Sequence, residues 1–141
     1  MRTIILSLHE RWWKKIAAGE KTMEIRKTKP VAPAPVRVLV YVTGGGGVQG
    51  EFVCDHFYKI RTIPEPQKQL GTVNVTGESC LTAGELKRYA GPAGKPLWGW
   101  RIKDVKEYPQ PQPLEAYGVK APPQSWRYYM EGKQDGQAEA N

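Results

Sequence analysis

The run from Arg37 to Thr43 restricts the fold of this chain more than any other segment. It reads Arg-Val-Leu-Val-Tyr-Val-Thr, and is almost continuously apolar and rich in β-branched residues. Such a run predicts a β-strand. Because it lacks polar residues at alternate positions, both of its faces should be covered. The chain is therefore expected to fold around a sheet in which this strand is central.

Shorter patterns on either side add further strands and two helices. Period-two or continuous apolar patterns predict strands over 3–8, 22–27, 49–60 and 98–106. Helical spacing predicts helices over 9–18 and 79–90, the second with Ser79 or Thr82 as its N-cap. Residues 62–77 read as a loop, and the prolines at 109, 111 and 113 should end the last strand. These elements indicate one α+β domain over residues 1–130. The polar residues 131–141 are expected to form a disordered tail.

Composition is that of a single globular domain. The 141 residues, 40% of them hydrophobic, can bury a core without a metal or disulfide. No apolar run approaches the roughly 20 residues of a membrane-spanning helix, and residues 1–10 lack the apolar region of a signal peptide. Two isolated cysteines, Cys54 and Cys80, form no zinc motif. We therefore predict a reducing, cytoplasmic location with no cofactor or metal, while a disulfide between the two cysteines stays open.

Positive charge is concentrated in the first part of the chain. The net charge is +7. Residues 1–61 contain 11 Lys or Arg and 5 Asp or Glu, a net of +6, whereas residues 62–141 contain 10 and 9, a net of +1. A basic half favours a polyanionic partner, with RNA or DNA first. The alternative is a charge that serves only solubility.

The segment from Gly19 to Arg26 carries the candidate chemistry. Its period-two pattern places Glu24 and Arg26 on one face of a strand, and Lys21 stands at the corner before that strand. Charges on an inward face are unfavourable unless they pair or bind a ligand. Convergence of these three side chains would therefore indicate a site. The alternative is a surface strand whose charges are solvated.

This segment resembles the signature of a known domain family. The pattern Gly-x-Lys-Thr-x-Glu-x-Arg, after a short strand and a Trp-bearing helix, is similar to the signature of ASCH domains. The sequence Pro-Pro-Gln-Ser-Trp at 122–126 also resembles the ending of bacterial and phage-associated members. The resemblance covers roughly residues 2–130. It implies a PUA-like fold, which is a small β-barrel with flanking helices.

ASCH domains are generally regarded as RNA-binding or RNA-processing modules, so the resemblance implies an RNA, nucleotide or nucleoside ligand. Carried over by position, the family's cleft would contain Lys21, Glu24 and Arg26, with Ser7 and Thr22 nearby. Arg26 is suited to hold a phosphate through two hydrogen bonds. Glu24 is suited to accept a hydrogen bond from an amine on a base. Lys21 would supply a point charge or, if desolvated, a neutral base.

Tryptophans near this segment are candidates for stacking on a base. Trp126 is predicted to be a binding residue on this ground. For Trp12 we favour core packing, because large aromatic side chains dominate protein cores. A further alternative is that the aromatic residues of 126–129 form a surface that binds another protein.

An enzymatic function is the second hypothesis. Some small ASCH proteins deacetylate acetylcytidine with a lysine, a threonine and a glutamate, and the resemblance assigns Lys21 and Glu78 to two of these. The threonine position, three residues after the lysine, holds Glu24, and Thr22 lies at the wrong place along the strand. Glu24 would then act as a general base on water or on a ribose hydroxyl, as in a ribonuclease, with Lys21 stabilising the oxyanion. His9 is another candidate base, or a cap of the following helix. We prefer the binding hypothesis, because Glu24 occupies the position at which the deacetylases have their threonine nucleophile.

Overall fold

A six-stranded mixed sheet forms the centre of the protein. The computed structural model describes residues 1–130. The strands are β1 (Arg2–Leu8), β2 (Met23–Arg26), β3 (Val36–Val42), β4 (Gly47–Ile60), β5 (Gln69–Leu70), β6 (Val73–Asn74), β7 (Leu97–Gln112) and β8 (Trp126–Tyr129). The helices are α1 (Glu10–Ala17), α2 (Val75–Ser79), α3 (Ala83–Ala90) and a 3₁₀ helix (Leu114–Tyr117). The large sheet has the order β2-β7-β4-β3-β1-β8, and β5 and β6 form a separate hairpin.

β3 occupies the central position that its apolar sequence predicts. It lies between β4 and β1, and its alternate residues enter two different cores. Val38 and Val40 pack in one core, while Leu39 and Tyr41 pack in the other. β1 runs parallel to β3, with Ile4 opposite Val38, because α1 and β2 provide the crossover that a parallel pair requires.

Three clusters of buried apolar residues connect the sheet to its surroundings. The first cluster includes Trp13 and Ile16 of α1, packed on the sheet. The second cluster lies on the opposite face, where Val119 and the 3₁₀ helix cover β1 and β3. The third cluster joins β2 to α2 and α3 and includes Met23 and Ile25. Burial of these two alternate residues turns the other face of β2, with its charged side chains, away from the third cluster.

The sheet is open rather than closed. The hydrogen-bonded ladder begins at β2 and ends at β8, so the α+β class is confirmed but the closed barrel is not. Side chains connect the two edge strands at their ends. The Arg26 guanidinium donates to Ser125 Oγ, and Trp126 Nε1 donates to Thr28 Oγ1 over 2.9 Å.

The prolines do not end β7, which continues to Gln112 through Pro109 and Pro111. β2 pairs with β7 only as far as Arg101, and beyond this point β4 is the strand neighbour of β7. The outer edge of β7 therefore carries no ladder, and prolines are tolerated on a sheet edge because no donor is missed there.

The predicted helix over 79–90 starts later than expected, because Ser79 ends α2 and α3 begins only at Ala83. Cys80 adopts a left-handed conformation with φ of 61° and separates α2 from α3. α3 begins after Thr82, one of the two predicted caps, and Glu85 completes a capping box with it. The predicted loop over 62–77 contains β5, β6 and the start of α2.

The cysteines, the helices and the C-terminal residues can each be compared with the sequence predictions. Cys54 and Cys80 are both free thiols. Within residues 1–130, every helix is too short and too polar to span a bilayer. The tail predicted over 131–141 lies outside the described residues.

Candidate functional site

A cavity of about 500 Å³ opens beside β2. Its wall is formed by the ends of β1 and β3, by α1, by α3 and by the loop that precedes β8. Four of the predicted site residues line this cavity, and they are Ser7, Lys21, Glu24 and Arg26. The arrangement brings together residues from distant parts of the chain around the signature strand.

Lys21 reaches the cavity because the chain turns sharply after α1. Gly19 has a φ of 80°, a conformation that glycine adopts without strain. The backbone N–H of Lys21 donates to the carbonyl of Lys15 over 3.1 Å, which holds the turn against the helix. The side chain of Lys21 then extends inward, where it is only 2% exposed.

The Lys21 ammonium has three neighbours. Its Nζ donates to the carbonyl of Ser79 over 2.6 Å, lies 3.4 Å from Glu24 Oε1, and stands 4.8 Å from the centre of the Trp12 ring. Burial lowers the pKa of Lys21, and the Glu24 carboxylate opposes this shift. Three contacts match the three donor directions of an ammonium, so Lys21 is held firmly in place.

Glu24 and Arg26 extend the charge pair into a chain. Arg26 Nη1 donates to Glu24 Oε2 over 3.1 Å, so the carboxylate lies between two cations. The side chains of Glu24 and Arg26 are 6% and 15% exposed. With two positive groups and one negative group, this buried chain carries a formal charge of +1.

Arg26 and Glu24 both retain hydrogen-bonding capacity. Arg26 has five N–H donors, of which one contacts Glu24 and one contacts Ser125. Its buried Nε–H has no acceptor among residues 1–130. Glu24 accepts from two cations, whereas a carboxylate offers about four lone-pair sites. The pair can therefore donate to an anion and accept from an amine at the same time.

The loop before β8 fixes one wall of the cavity. Ser7 Oγ donates to the carbonyl of Pro123 over 2.7 Å, and the Ser7 N–H donates to the carbonyl of Ser125 over 2.9 Å. Ser125 in turn accepts from Arg26. Gln124, between the two held carbonyls, lines the cavity and is exposed.

The rim of the cavity carries aromatic and polar side chains. Trp12 is half-buried and lines the cavity, so the preference for core packing at this position is wrong, and its neighbour Trp13 is the core residue. His9 also lies at the rim, with Nδ1 3.1 Å from Thr43 Oγ1. His9 is the N-cap residue of α1, as the capping alternative predicts, and it caps through its backbone carbonyl rather than its side chain.

Three predicted binding residues do not line the cavity. Thr22 donates its backbone N–H to the carbonyl of Glu78 over 2.9 Å, and the Glu78 carboxylate accepts from the N–H of Asn74 over 3.0 Å. Glu78 therefore caps α2. Trp126 packs edge-on against Trp100, with ring centres 6.1 Å apart.

The aromatic residues of β8 are also largely taken up by packing. Trp126 and Tyr128 are half-buried against the first cluster, and Tyr129 is buried in the second. The protein-binding alternative depended on an exposed aromatic surface here, and that surface is mostly covered.

Several lining residues were not identified from the sequence, and four of them carry polar or aromatic groups next to the charged strand. Glu85, Arg88 and Tyr89 belong to α3, and Gln124 belongs to the loop before β8. The spacing of the first three was a usable signal, because residues three and four apart share one helix face. That this face of α3 meets β2 depends on the tertiary fold.

The comparisons with known proteins agree with this fold. No protein-family model matches the sequence, and a search of curated proteins also finds no match. The chain is similar to the crystal structure of ASCH from Zymomonas mobilis, with a TM-score of 0.73 and 19% identity over 92% of this chain and 89% of that one. A tyrosine-to-phenylalanine variant of that protein gives a TM-score of 0.71 at 19% identity, over 93% and 92% of the two chains. A serine-to-alanine variant gives 0.71 at 19%, over 92% and 89%. The chain therefore has the fold of the ASCH domain, as its signature predicts.

Proposed function

We propose that this protein binds single-stranded RNA, or a nucleotide derived from it, in the cavity beside β2. The observation that carries the proposal is the buried Lys21–Glu24–Arg26 chain on the wall of an open cavity. Residues 1–130 would form the binding domain. Its place would be the cytoplasm, where free cysteines such as Cys54 and Cys80 stay reduced.

A purely structural role explains these charges poorly. Replacing a buried ion pair by apolar residues is often neutral or stabilising, so such a group adds little to stability by itself. Here the charges line a cavity of about 500 Å³, which lies within the usual size range of small-ligand sites. Their net positive charge suits an anionic ligand.

Each side chain has a suitable role in nucleotide binding. Arg26 would donate to a phosphate through the Nη N–H groups that contact neither Glu24 nor Ser125. Glu24 would accept from an exocyclic amine of the base. Trp12 and Tyr89 would flank the base, because aromatic rings stack on bases of any sequence. The ASCH fold and the basic first half of the chain give independent support.

The test measures binding of a 12-nucleotide single-stranded RNA as a function of salt concentration. Affinity should fall linearly with the logarithm of salt concentration, since bound phosphates release counterions. Arg26→Ala should weaken binding by about tenfold, which corresponds to about 1.4 kcal/mol, and reduce the salt slope by about 0.7, the value for one phosphate of a single strand.

The matched control is Arg101→Ala. Arg101 is half-exposed, does not line the cavity, and forms a two-pronged pair with Asp55 at 2.7 Å. The Arg101→Ala variant should lose much less affinity for the RNA than the Arg26→Ala variant. Equal losses for both variants, or binding independent of salt, would contradict the proposal.

A hydrolase acting on an acetylated nucleoside or on RNA is the second candidate. It is favoured by the lowered pKa of Lys21 beside Glu24 in a cavity. Glu24 would accept a proton from water as that water attacks the acetyl carbonyl carbon, and Lys21 would stabilise the oxyanion. The amide C–N bond would then break as Glu24 returns the proton to the departing amine nitrogen of the base, which leaves acetate and the free nucleoside. Thr22 and Glu78, the other residues of the amidohydrolase resemblance, lie outside the cavity.

Mass spectrometry of acetylcytidine and of RNA incubated with the protein tests this candidate. Turnover that is lost in Glu24→Gln and kept in Arg101→Ala would support it. Products that form equally with both variants would attribute the turnover to a contaminant and end the hypothesis.

A further inference from the structure

A second cavity adjoins the proposed site. It has a volume of about 640 Å³ and lies at the C-terminal end of α3. Arg88 lines both this cavity and the one beside β2. Arg88 therefore borders both cavities.

The second cavity has a largely apolar lining. Ile63, Pro64 and Pro92 contribute to it, and Ile63 is 58% exposed. Few large hydrophobic side chains are this exposed within residues 1–130. An exposed apolar side chain in a concave site gains free energy when a ligand covers it.

The charge at the junction is available for an anion. Within the described part of the chain, the exposed Arg88 guanidinium has no hydrogen-bond or salt-bridge partner, and its charged neighbour is Glu85, one turn earlier on α3. Lys87, beside it in the second cavity, is 3.5 Å from Glu65, but both side chains are mostly exposed. Such surface pairs are weak, so Lys87 adds positive charge at little cost.

We infer that the second cavity binds the neighbouring nucleotide of the same RNA strand, with Arg88 on the phosphate that links the two nucleotides. The order of base-sized cavity, free cation and apolar cavity matches the base–phosphate–base repeat of a single strand. This inference rests on the proposed function, and it makes a dinucleotide the smallest ligand that fills the site.

The experiment compares ligands of increasing length by isothermal titration calorimetry at fixed salt. The probes are nucleoside 5′-monophosphates and the matching homodinucleotides of adenine, cytosine, guanine and uracil. For the base that binds best, the dinucleotide should bind at least about fivefold more tightly than the monophosphate. This gain corresponds to about 1 kcal/mol, which burial of about 40 Å² of apolar surface supplies.

Ile63→Ser should remove most of this gain and leave the affinity for the monophosphate unchanged, because Ile63 does not line the first cavity. Val31→Ser is the matched control, since Val31 is 92% exposed and lines neither cavity. Arg88→Ala should weaken dinucleotide binding by about tenfold, as loss of a charge-assisted contact does. Thermal unfolding checks that each variant is folded.

The possible outcomes separate the two proposals. A length gain that Ile63→Ser abolishes supports the inference. A monophosphate that binds through Arg26, with no gain for the dinucleotide or a gain indifferent to Ile63, overturns the inference and leaves the proposed function standing. Failure of every probe to bind the wild-type protein overturns both.

Discussion

Glu24 should be needed for stability as well as for binding, because it lies between two buried cations. Glu24→Gln removes the charge and keeps the shape. Lys21 and Glu24 are 2% and 6% exposed, and breaking a buried pair by removing one partner costs about 3–5 kcal/mol. Lys21 keeps its hydrogen bond to Ser79, so we expect the lower end, about 3 kcal/mol of unfolding free energy.

The control is an ion pair of similar length on the surface. Glu10 and Lys14 on α1 are 3.1 Å apart, and their side chains are 64% and 73% exposed. Glu10→Gln should cost at most about 0.5 kcal/mol, as exposed pairs on a helix do. Urea unfolding of both variants at pH 7 measures the difference. If Glu24→Gln loses no more stability than Glu10→Gln, the buried charge chain does not have the energetics assigned to it.

The pH dependence of Glu24→Gln gives a second measurement. Burial holds the pKa of Lys21 below its usual value. In the range between the folded and unfolded pKa values the unfolded chain binds more protons, so stability rises with pH. Removal of Glu24 lowers the pKa of Lys21 further and extends this range downward. The stability gap between variant and wild type should therefore narrow as the pH is raised through the interval between the two folded-state pKa values of Lys21, and a gap that widens with pH would contradict this assignment.

Three further predictions concern the scaffold. Gly50→Ala should destabilise the fold by about 1–3 kcal/mol in urea unfolding, since an added Cβ would lie 2.4 Å from a buried indole ring and from a backbone carbonyl. A hydrogen bond from Arg37 lowers the pKa of Glu51 to about 2. The ionised Glu51 therefore stabilises the folded protein fully above about pH 4.5, its pKa in the unfolded chain. This stabilisation is lost as the pH falls towards 2. Glu51→Gln should cost about 1 kcal/mol at pH 7 and nothing near pH 2. Burial raises the pKa of Cys54 to about 12, so at pH 8 an aromatic disulfide reagent should titrate one thiol, that of Cys80, in the native protein and two in urea.

Local patterns were sufficient for the charged strand. Glu24 and Arg26 share a face because strands have a period of two, and the buried Met23 and Ile25 fix which face that is. The position of Lys21 beside this face was predicted because the residue stands at the corner between α1 and β2. The convergence of these side chains was thus predictable from eight consecutive residues.

Positions set by tertiary packing were not predictable in the same way. Trp12 and Trp13 are adjacent on α1, so their side chains leave the helix about 100° apart, and the apolar pattern alone does not say which of the two is buried. Gly50 decides between them, because its missing side chain leaves room for the Trp13 ring. A residue of β4 therefore determines that Trp12 faces the cavity.

Tertiary packing also explains why Glu78, a predicted site residue, lies outside the cavity. Glu78 precedes the predicted second helix, and the family resemblance assigned the site glutamate to it, while Glu85 was expected only to cap that helix. The left-handed residue Cys80 separates α2 from α3, so Glu78 caps α2 while Glu85 lines the cavity. A single backbone conformation thus changed which carboxylate reaches the site.

The most direct test of the account is an NMR titration that follows arginine Nε–H signals as a nucleoside 5′-monophosphate is added. Arg26 Nε–H is buried and has no acceptor among residues 1–130, so its signal reports on a ligand bound at the Nη groups of the same guanidinium, whereas Arg101 Nε–H already donates to Asp55 over 2.7 Å. The account predicts a saturable shift of the Arg26 signal and an unchanged Arg101 signal. If the ligand binds while the Arg26 signal stays in place, the buried charge chain is not the nucleotide site.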